Sequence, residues 1–227
     1  LAGNPLGADA VWTFSTAAPS FTDTTIGDFA AAILSSCASG AWESGGDVLL
    51  PPALGTTFDG TTLPAGWTAN PELSGVVGGG LLSVNGGLVD AGPAVAAGRS
   101  LEFVATFGGA SFQSVGLGQN LGDNESWAIF STASTSDSLY ARTSNGTTPQ
   151  EALLTGSWIG TPHRYRIEWD TNQVRYFIDG VLRHTETIGI EETLRPVVSD
   201  LTAGGPAVTV DWLRMSPFTS PCSLESR

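Results

Sequence analysis

The chain has 227 residues, of which 41% are hydrophobic, and it carries 9 basic against 22 acidic residues. This length and apolar content suit one large domain whose core needs no crosslinks. The acidic balance argues against nucleic acid and anionic membranes as partners, because both would repel the chain. All nine basic residues are arginines, which excludes the chemistries that require a lysine, such as Schiff-base catalysis.

No stretch approaches the roughly 20 apolar residues that span a bilayer, so no membrane insertion is predicted. The chain contains 29 glycines and only 14% charged residues, a composition typical of extracellular or cell-surface proteins. Its first residues, "LAGNPLGADA", lack the charged and hydrophobic regions of a signal peptide. We therefore expect a mature or excised part of a longer secreted or surface protein.

The N-terminal segment "AGNPLGADAVWTFSTA" has a pattern of its own. It resembles the closing strands of bacterial Ig-like domains, in which a GN-x-L turn precedes a W-x-F-x-T strand. The matching residues are Gly3, Asn4, Leu6, Trp12, Phe14 and Thr16. The resemblance implies that residues 1–18 are the remnant of such a domain and that residues 19–227 form the main domain. A lone strand of this kind could pair with neighbouring copies of the protein, and the alternative is an edge strand of the main domain.

Only "GDFAAAILSSC" (27–37) has the character of a helix, with Asp28 as its N-cap. Elsewhere short apolar runs alternate at period two between Gly, Asn-Gly, Asp-Gly and Pro, a pattern typical of strands. Two segments, 58–70 and 85–98, are predicted as loops, the first anchored by Phe58 and Trp67. The predicted strands are 11–16, 46–50, 80–84, 100–107, 112–118, 126–131, 138–143, 164–169, 174–178, 181–188, 195–202 and 207–215. So many short strands predict a two-sheet sandwich or a barrel.

The clearest pattern is "HRYRIEWDTNQVRYFIDGVLRHTETI" (163–188), which predicts a three-strand antiparallel meander. Its apolar and polar residues alternate along 164–169 and 174–178, so that one face of each strand is apolar. The Asp179-Gly180 pair supplies the positive-φ residues of a two-residue hairpin. Its charged residues are expected on the solvent side and its aromatic residues in the core, so we predict a structural role for it.

The same stretch resembles the concanavalin A-like lectin/glucanase superfamily, and most closely its family-16 glycoside hydrolases. Those enzymes carry an H-x-Y-x-x-x-W segment and then a strand ending in D-G. The matching residues are His163, Tyr165, Trp169, Tyr176, Asp179 and Gly180. "VTVDWLRMSP" (208–217) is similar to their closing strand, and "GRSLEFVATFGG" (98–109) more weakly to an earlier one. The resemblance implies an all-β jelly-roll sandwich of two curved antiparallel sheets, whose concave face holds sugar in relatives.

The catalytic carboxylates of that family sit on one strand as E-x-D-x-x-E or E-x-D-x-E, and here they are missing. The corresponding region, around residues 115–135, has only Asp123 and Glu125, both in a predicted turn. A partial match, Glu168 and Asp170, falls at the end of a strand, where we interpret both as solvated. Retaining glycosidases need two carboxylates about 5 Å apart. The chain is therefore predicted not to be an enzyme.

Sugar recognition uses aromatic platforms with planar polar groups around them. Residues of these types in the region of the relatives' cleft are Gln113, Trp127, Tyr140, Arg142 and Trp158, which form the predicted carbohydrate site. Ordinary core packing is the alternative for the aromatic residues, and a surface position for Arg142.

Cys37 and Cys222 are the only cysteines, and a disulfide between them would join opposite ends of the domain. Two buried free thiols are the alternative, and two cysteines cannot form a tetrahedral zinc site alone. "GDNES" (122–126) has oxygens that suit a structural calcium ion, without the ligand spacing of a dedicated loop. No catalytic metal and no cofactor are predicted.

Three functions are compatible with these features. The first is a non-catalytic, lectin-like module whose partner is a polysaccharide or another glycan. The second is a structural or adhesive module of an extracellular fibre or matrix, without a sugar site. The third is a glycoside hydrolase of unusual design, which the missing carboxylate motif disfavours. The first is preferred because this fold so often binds sugar, although a fold alone does not define a function.

Overall fold

The computed structural model of the chain describes residues 39–40, 48–49, 52–72 and 74–217. These residues form strands and loops, and among them there is no helix that could cross a membrane. The strands are β1 (Ser39–Gly40), β2 (Val48–Leu49), β3 (Leu54–Thr56), β4 (Trp67–Asn70), β5 (Gly75–Gly78), β6 (Leu81–Val84), β7 (Gly87–Ala91), β8 (Arg99–Thr106), β9 (Gln113–Gly118), β10 (Ser126–Ser131), β11 (Leu139–Asn145), β12 (Gln150–Leu154), β13 (His163–Trp169), β14 (Val174–Ile178), β15 (Val181–Glu186), β16 (Arg195–Asp200) and β17 (Val208–Pro217).

Two large antiparallel sheets face each other. The seven-stranded sheet has the order β12-β11-β10-β9-β16-β7-β4, and the eight-stranded sheet has the order β15-β14-β13-β8-β17-β6-β5, with β3 also paired to β17. Among the described strands, β1 and β2 form a separate two-stranded pair. Apolar residues of both sheets meet in one continuous core. This is an all-β sandwich, as the alternating sequence pattern predicts.

Aromatic rings from the two sheets interlock at the centre of the core. The ring of Phe130 on β10 lies 4.9 Å from that of Tyr165 on β13 and 5.2 Å from that of Tyr176 on β14. The rings of Phe103 and Tyr165 stack at 5.4 Å within the eight-stranded sheet. Tilted and edge-to-face pairs at these separations add stability beyond the area that they bury.

The predicted meander is confirmed as β13, β14 and β15. Tyr165 lies opposite Ile178 and Trp169 opposite Val174, with all four side chains in the core. Asp179 and Gly180 have φ values of 51° and 77°, as the two-residue hairpin requires. A side-chain hydrogen bond also stabilises the hairpin: Nδ1 of His163 lies 2.9 Å from Oδ2 of Asp179. His163 thus has a structural role at the start of β13.

The two loop predictions are wrong in part. Phe58 and Trp67 do anchor the first segment, with their rings edge-to-face at 5.2 Å, but β4 begins at Trp67. The second segment contains all of β7. Both strands are short and contain polar residues, so their conformation depends on pairing, of β7 with β16 and of β4 with β7.

Several predictions fall on parts of the chain outside the described residues. These are the Ig-like remnant of residues 1–18, the strand 11–16, the helix 27–37, and both cysteines, Cys37 and Cys222.

Candidate functional site

The candidate site is the outward face of the seven-stranded sheet, the face that points away from the core. Because strand side chains alternate, every second residue contributes to it. The backbone register aligns one row of such residues straight across the sheet. In strand order this row is Glu151, Arg142, Ile129, Gly116, Val197, Asp90 and Thr68. Along this row, polar residues lie at both ends of the sheet and small or apolar residues lie at its centre. The two polar ends are called flanks below.

Three of the predicted sugar-contacting residues come together on one flank. The guanidinium carbon of Arg142 lies 5.1 Å from the ring centroid of Trp127, a cation–π arrangement. The Nε atom of Arg142 also lies 2.9 Å from Oε2 of Glu151, close enough for an ion pair but not aligned as a hydrogen bond. Tyr140, half-buried, lies one row away on β11, opposite the exposed Leu153.

The centre of the face is filled. Trp127, Ile129 and Val197 form a second apolar cluster and are at most 4% exposed, and Leu121 of the β9–β10 loop packs against them. A side chain at Gly118 would collide with Leu121, to which its Cβ would lie 2.5 Å distant. The indole nitrogen of Trp127 donates to the carbonyl of Gly122. Trp127 is therefore part of the support of this face, and its ring is not an open platform for sugar.

Gln113 does not belong to the outward face, and that part of the prediction is corrected. Its side chain points into the sandwich and is fully buried. Its amide nitrogen donates to Oδ2 of Asp200 and to the carbonyl of Pro206, and its amide oxygen accepts from the backbone N–H of Gly109. Gln113 thus joins the ends of two central strands to a loop. The alternation of β9 assigns it to the same side as Val115, a signal present in the sequence.

Trp158 lies away from Trp127, so it too is removed from the site. Its indole nitrogen donates to the carbonyl of Leu154, and its ring packs edge-to-face on His163 at 5.1 Å. Arg183 lies over the same ring at 5.0 Å. His163 and Arg183 belong to the eight-stranded sheet, so the fold places Trp158 at the side of the sandwich.

The other flank of the outward face forms a cleft of about 460 Å³, here called the Asp90 cleft. Its lining includes Thr68, Asn70, Leu88, Asp90, Asn120 and Leu201. The hydroxyl of Thr68 donates to Asp90, and a guanidinium nitrogen of Arg195 lies 3.4 Å from the same carboxylate. The cleft thus combines a held carboxylate, two amides and apolar walls. Sequence reasoning missed it because β4 and β7 were interpreted as loops.

The outward-facing carboxylates of the seven strands are Asp90 on β7 and Glu151 on β12. Five strand spacings separate these two strands in the sheet. With about 4.8 Å between neighbouring strands, the two backbones lie roughly 24 Å apart. Catalytic carboxylate pairs of glycosidases lie about 5 to 10 Å apart. The strands between them, β11, β10, β9 and β16, present no outward carboxylate.

Two further carboxylates, Glu125 and Glu192, line a cleft of about 190 Å³ at the start of β10. A hydrogen bond from the Ser126 hydroxyl lowers the pKa of Glu192. Burial would raise the pKa of Glu125, but hydrogen bonds from Asn120 and Gly122 outweigh it and lower that pKa. A glycosidase acid instead needs a raised pKa. Both groups are therefore ionised near neutral pH and unsuited to protonating a leaving group.

Glu125 belongs to the "GDNES" segment, whose oxygens suit a structural calcium ion but lack the ligand spacing of a dedicated loop. Its carboxylate accepts hydrogen bonds from the backbone N–H and the side-chain amide of Asn120 and from the backbone N–H of Gly122. Within the described ranges, no three His, Cys, Asp or Glu residues converge as a metal site would require. Calcium at this loop stays a prediction.

The outward face of the eight-stranded sheet has a different character, because ion pairs run across it. Glu102 on β8 pairs with Arg164 on β13 at 2.7 Å and with Arg214 on β17 at 2.6 Å. Glu168 on β13 pairs with Arg166 at 2.9 Å and with Arg175 on β14 at 2.7 Å. The interpretation of Glu168 as a solvated residue is therefore corrected: its side chain is 11% exposed and held between two guanidinium groups.

Glu102 provides a pH-dependent test of this ion-pair network. Burial would raise its pKa, but hydrogen bonding and attraction from Arg164 and Arg214 outweigh burial and lower it. A lowered folded-state pKa stabilises the fold above the ordinary titration range and loses that effect as the pH falls. Glu102→Gln should lower the free energy of unfolding by about 2 kcal/mol at neutral pH, and by less at about pH 3, which lies below the ordinary glutamate pKa, so that the stabilisation from the lowered pKa is already being lost.

Urea unfolding at the two pH values measures this difference. Glu151→Gln is the matched control, because its ion pair is exposed and should contribute less than about 1 kcal/mol. An equal loss for Glu102→Gln at both pH values would contradict the assignment.

Comparisons with known proteins support the fold. No protein-family model and no curated protein matches the chain. Among solved structures, β-agarase A in complex with oligoagarose has a TM-score of 0.56 at 13% identity, covering 71% of this chain and 90% of that one. The Bacillus licheniformis β-glucanase gives 0.53 at 13% identity, covering 72% and 97%. A pseudo β-1,3-glucanase of Mycobacterium tuberculosis gives 0.56 at 13% identity, covering 74% and 99%.

These similarities identify the class of architecture. The described part of the chain has the all-β, two-sheet jelly-roll fold seen in these glycoside hydrolases. At 13% identity they establish the fold alone. One of the structures is described as a pseudo-glucanase, so the fold also occurs in proteins of that kind.

Proposed function

We propose that this chain is a non-catalytic carbohydrate-binding module of a larger extracellular or cell-surface protein. Its ligand is a polysaccharide or a related glycan, bound on the outward face of the seven-stranded sheet. The Asp90 cleft forms the primary contact, and the flank formed by Tyr140 and Arg142 extends it across the sheet.

The observation that carries this proposal is the combination of polar flanks with the absence of outward carboxylates on the strands between them. Asp90, Asn70 and Asn120 present planar polar groups beside the apolar side chains of Leu88 and Leu201. Sites that recognise small ligands combine a few fixed polar groups with apolar walls in this way. The roughly 24 Å between the strands of Asp90 and Glu151 argues against paired acid and nucleophile roles. Structural neighbours that include an agarase in complex with oligoagarose support a glycan as ligand.

A glycan-array screen of the 227-residue chain tests the proposal, followed by titration of the best ligand. Asp90→Asn should raise the Kd about tenfold, because it weakens a charge-assisted hydrogen bond. Asp211→Asn is the matched control, since Asp211 is an exposed residue on β17 of the other sheet. Its Kd should equal that of the wild type. Absence of binding to any glycan, or equal effects of the two substitutions, would contradict the proposal.

A structural or adhesive module is the second candidate, and the filled centre of the outward face favours it. With Trp127, Ile129 and Val197 buried, the face lacks an open aromatic platform along its middle strands. Assembly would then involve neighbouring copies of the protein through the N-terminal segment that the sequence predicts as a strand. Concentration-dependent self-association without glycan binding would support this second function.

A further inference from the structure

The chain contains two Asn-Gly pairs, Asn85-Gly86 and Asn145-Gly146. In such a pair, the backbone nitrogen of the glycine can attack the side-chain carbonyl carbon of the asparagine and close a five-membered ring. Glycine favours this attack because it has no Cβ to hinder the approach. The structure places the two pairs in different surroundings, and these surroundings predict different fates for the two asparagines.

The side chain of Asn85 is held at both ends. Its amide nitrogen donates to the carbonyl of Gly205 at 2.7 Å, and its amide oxygen accepts from the backbone N–H of Gly204 at 2.8 Å. Gly86 packs against the same β16–β17 loop, since a Cβ at this position would lie 2.7 Å from that of Ala203. Ring closure at Asn85 would break two hydrogen bonds between distant segments, so we expect this pair to be stable.

Asn145 ends β11 and is held only through its amide oxygen. That oxygen accepts hydrogen bonds from the backbone N–H of Thr147 at 3.2 Å, from the Thr147 hydroxyl at 3.0 Å and from the backbone N–H of Thr148 at 3.0 Å. Its amide nitrogen has no hydrogen-bond partner among the described residues. Asn145 is half-buried and both threonines are exposed, so water reaches this turn.

The three donors stabilise the charge that ring closure creates. When the nitrogen of Gly146 attacks Cγ of Asn145, the electrons of the carbonyl double bond move to Oδ1, the atom at which the donors are aimed. Preorganised donors at such an oxygen lower the barrier, as an oxyanion hole does. The attacking N–H donates to the Ser144 hydroxyl at 3.1 Å. Its proton can therefore leave without breaking a backbone hydrogen bond of the strand ladder.

We propose that Asn145 is a site of spontaneous deamidation. Hydroxide removes the amide proton of Gly146, the nitrogen forms a bond to Cγ, and the bond from Cγ to Nδ2 breaks. The Nδ2 atom takes a proton from water and leaves as ammonia. Water then adds to one carbonyl of the cyclic imide and opens the ring to aspartate or isoaspartate. The net reaction consumes one water and releases one ammonia, and no group is oxidised or reduced.

The product changes the end of the β11–β12 hairpin. Either acid adds a negative charge, and isoaspartate also adds one atom to the main chain. In the same hairpin Thr143 pairs with Gln150, and Arg142 pairs with Glu151. An extra main-chain atom beside this ladder should disturb its pairing, so the modification alters one flank of the outward face. This inference does not depend on the proposed carbohydrate-binding function.

Incubation of the folded chain at mildly alkaline pH, followed by peptide mapping with mass spectrometry, tests the site. Cleavage after arginine gives the peptide 143–164, in which Asn145 is the only asparagine. Asn145 should convert faster as the pH rises, and about tenfold faster than Asn85, whose two hydrogen bonds must break. Labelling with a protein isoaspartyl methyltransferase identifies isoaspartate. Asn145→Gln should abolish the conversion at this position, because its longer side chain requires a six-membered ring.

Thr147→Ala distinguishes donors that promote ring closure from donors that only hold the side chain. It removes one donor to Oδ1 and should slow the conversion about fivefold, whereas Thr147→Ser keeps the hydroxyl and should keep the rate. Thr148→Ala is the matched control, because Thr148 donates through its backbone. Faster conversion in Thr147→Ala would show that the hydrogen bonds protect Asn145 and would overturn the inference. An unmodified Asn145 in the wild type, or equal conversion of Asn85, would also overturn it.

Discussion

Trp169→Ala is expected to lower the free energy of unfolding by about 4 kcal/mol, the largest loss among the substitutions considered. Trp169 ends β13, is fully buried, and is among the largest buried side chains of the described core. Removing it loses the transfer energy of the indole and leaves a cavity that a rigid two-sheet core cannot close. Guanidinium unfolding followed by circular dichroism measures the change.

Trp169→Phe is the control for the chemistry of the indole. The Nε1 atom of Trp169 is buried without a hydrogen-bond partner among the described residues. Its removal therefore loses no hydrogen bond, and we expect a loss of only about 1 to 2 kcal/mol from the smaller ring. If Trp169→Ala cost less than about 1 kcal/mol, or altered glycan binding without altering stability, the core assignment would be wrong.

Gln113→Leu is expected to destabilise the fold by about 3 to 4 kcal/mol. The substitution leaves three groups without their Gln113 partner: the buried carboxylate of Asp200, the carbonyl of Pro206 and the N–H of Gly109. Each buried polar group that loses its hydrogen bond costs about 1 to 3 kcal/mol. Urea unfolding measures the loss, and ligand titration of the folded fraction should give an unchanged Kd.

Gln119→Leu is the matched control, because its amide makes an exposed hydrogen bond to the carbonyl of Thr193. It should cost less than about 1 kcal/mol. The earlier interpretation of Gln113 as a sugar contact makes the opposite prediction, namely weaker glycan binding at unchanged stability. The two measurements together distinguish these roles.

The sequence predicts the meander well because several local signals agree there. Alternation along β13 and β14 and the Asp179-Gly180 turn all specify the same antiparallel arrangement. By contrast, β4 and β7 are short and interrupted by polar residues, and they become strands because β7 pairs with β16 and β4 pairs with β7. Such non-local pairing is not encoded in the residues of one segment. The Asp90 cleft lies on these two strands and was missed with them.

The predicted sugar site comes together only in part, for a related reason. Residue type directs attention to Trp127, Tyr140 and Arg142, which share one sheet face, and sugar contact by them stays a prediction. It does not reveal whether a ring is open to solvent, because that depends on how the preceding β9–β10 loop folds, and here the loop places Leu121 against Trp127. Residue type also cannot distinguish an inward Gln113 from an outward one until the phase of the strand is fixed.

A crystal structure of the chain with the best array glycan tests the central claim most directly. The account predicts sugar on the outward face of the seven-stranded sheet, in contact with Asp90 and its neighbours, with every glycosidic bond intact. Sugar bound elsewhere, or a cleaved product in the cleft, would contradict it.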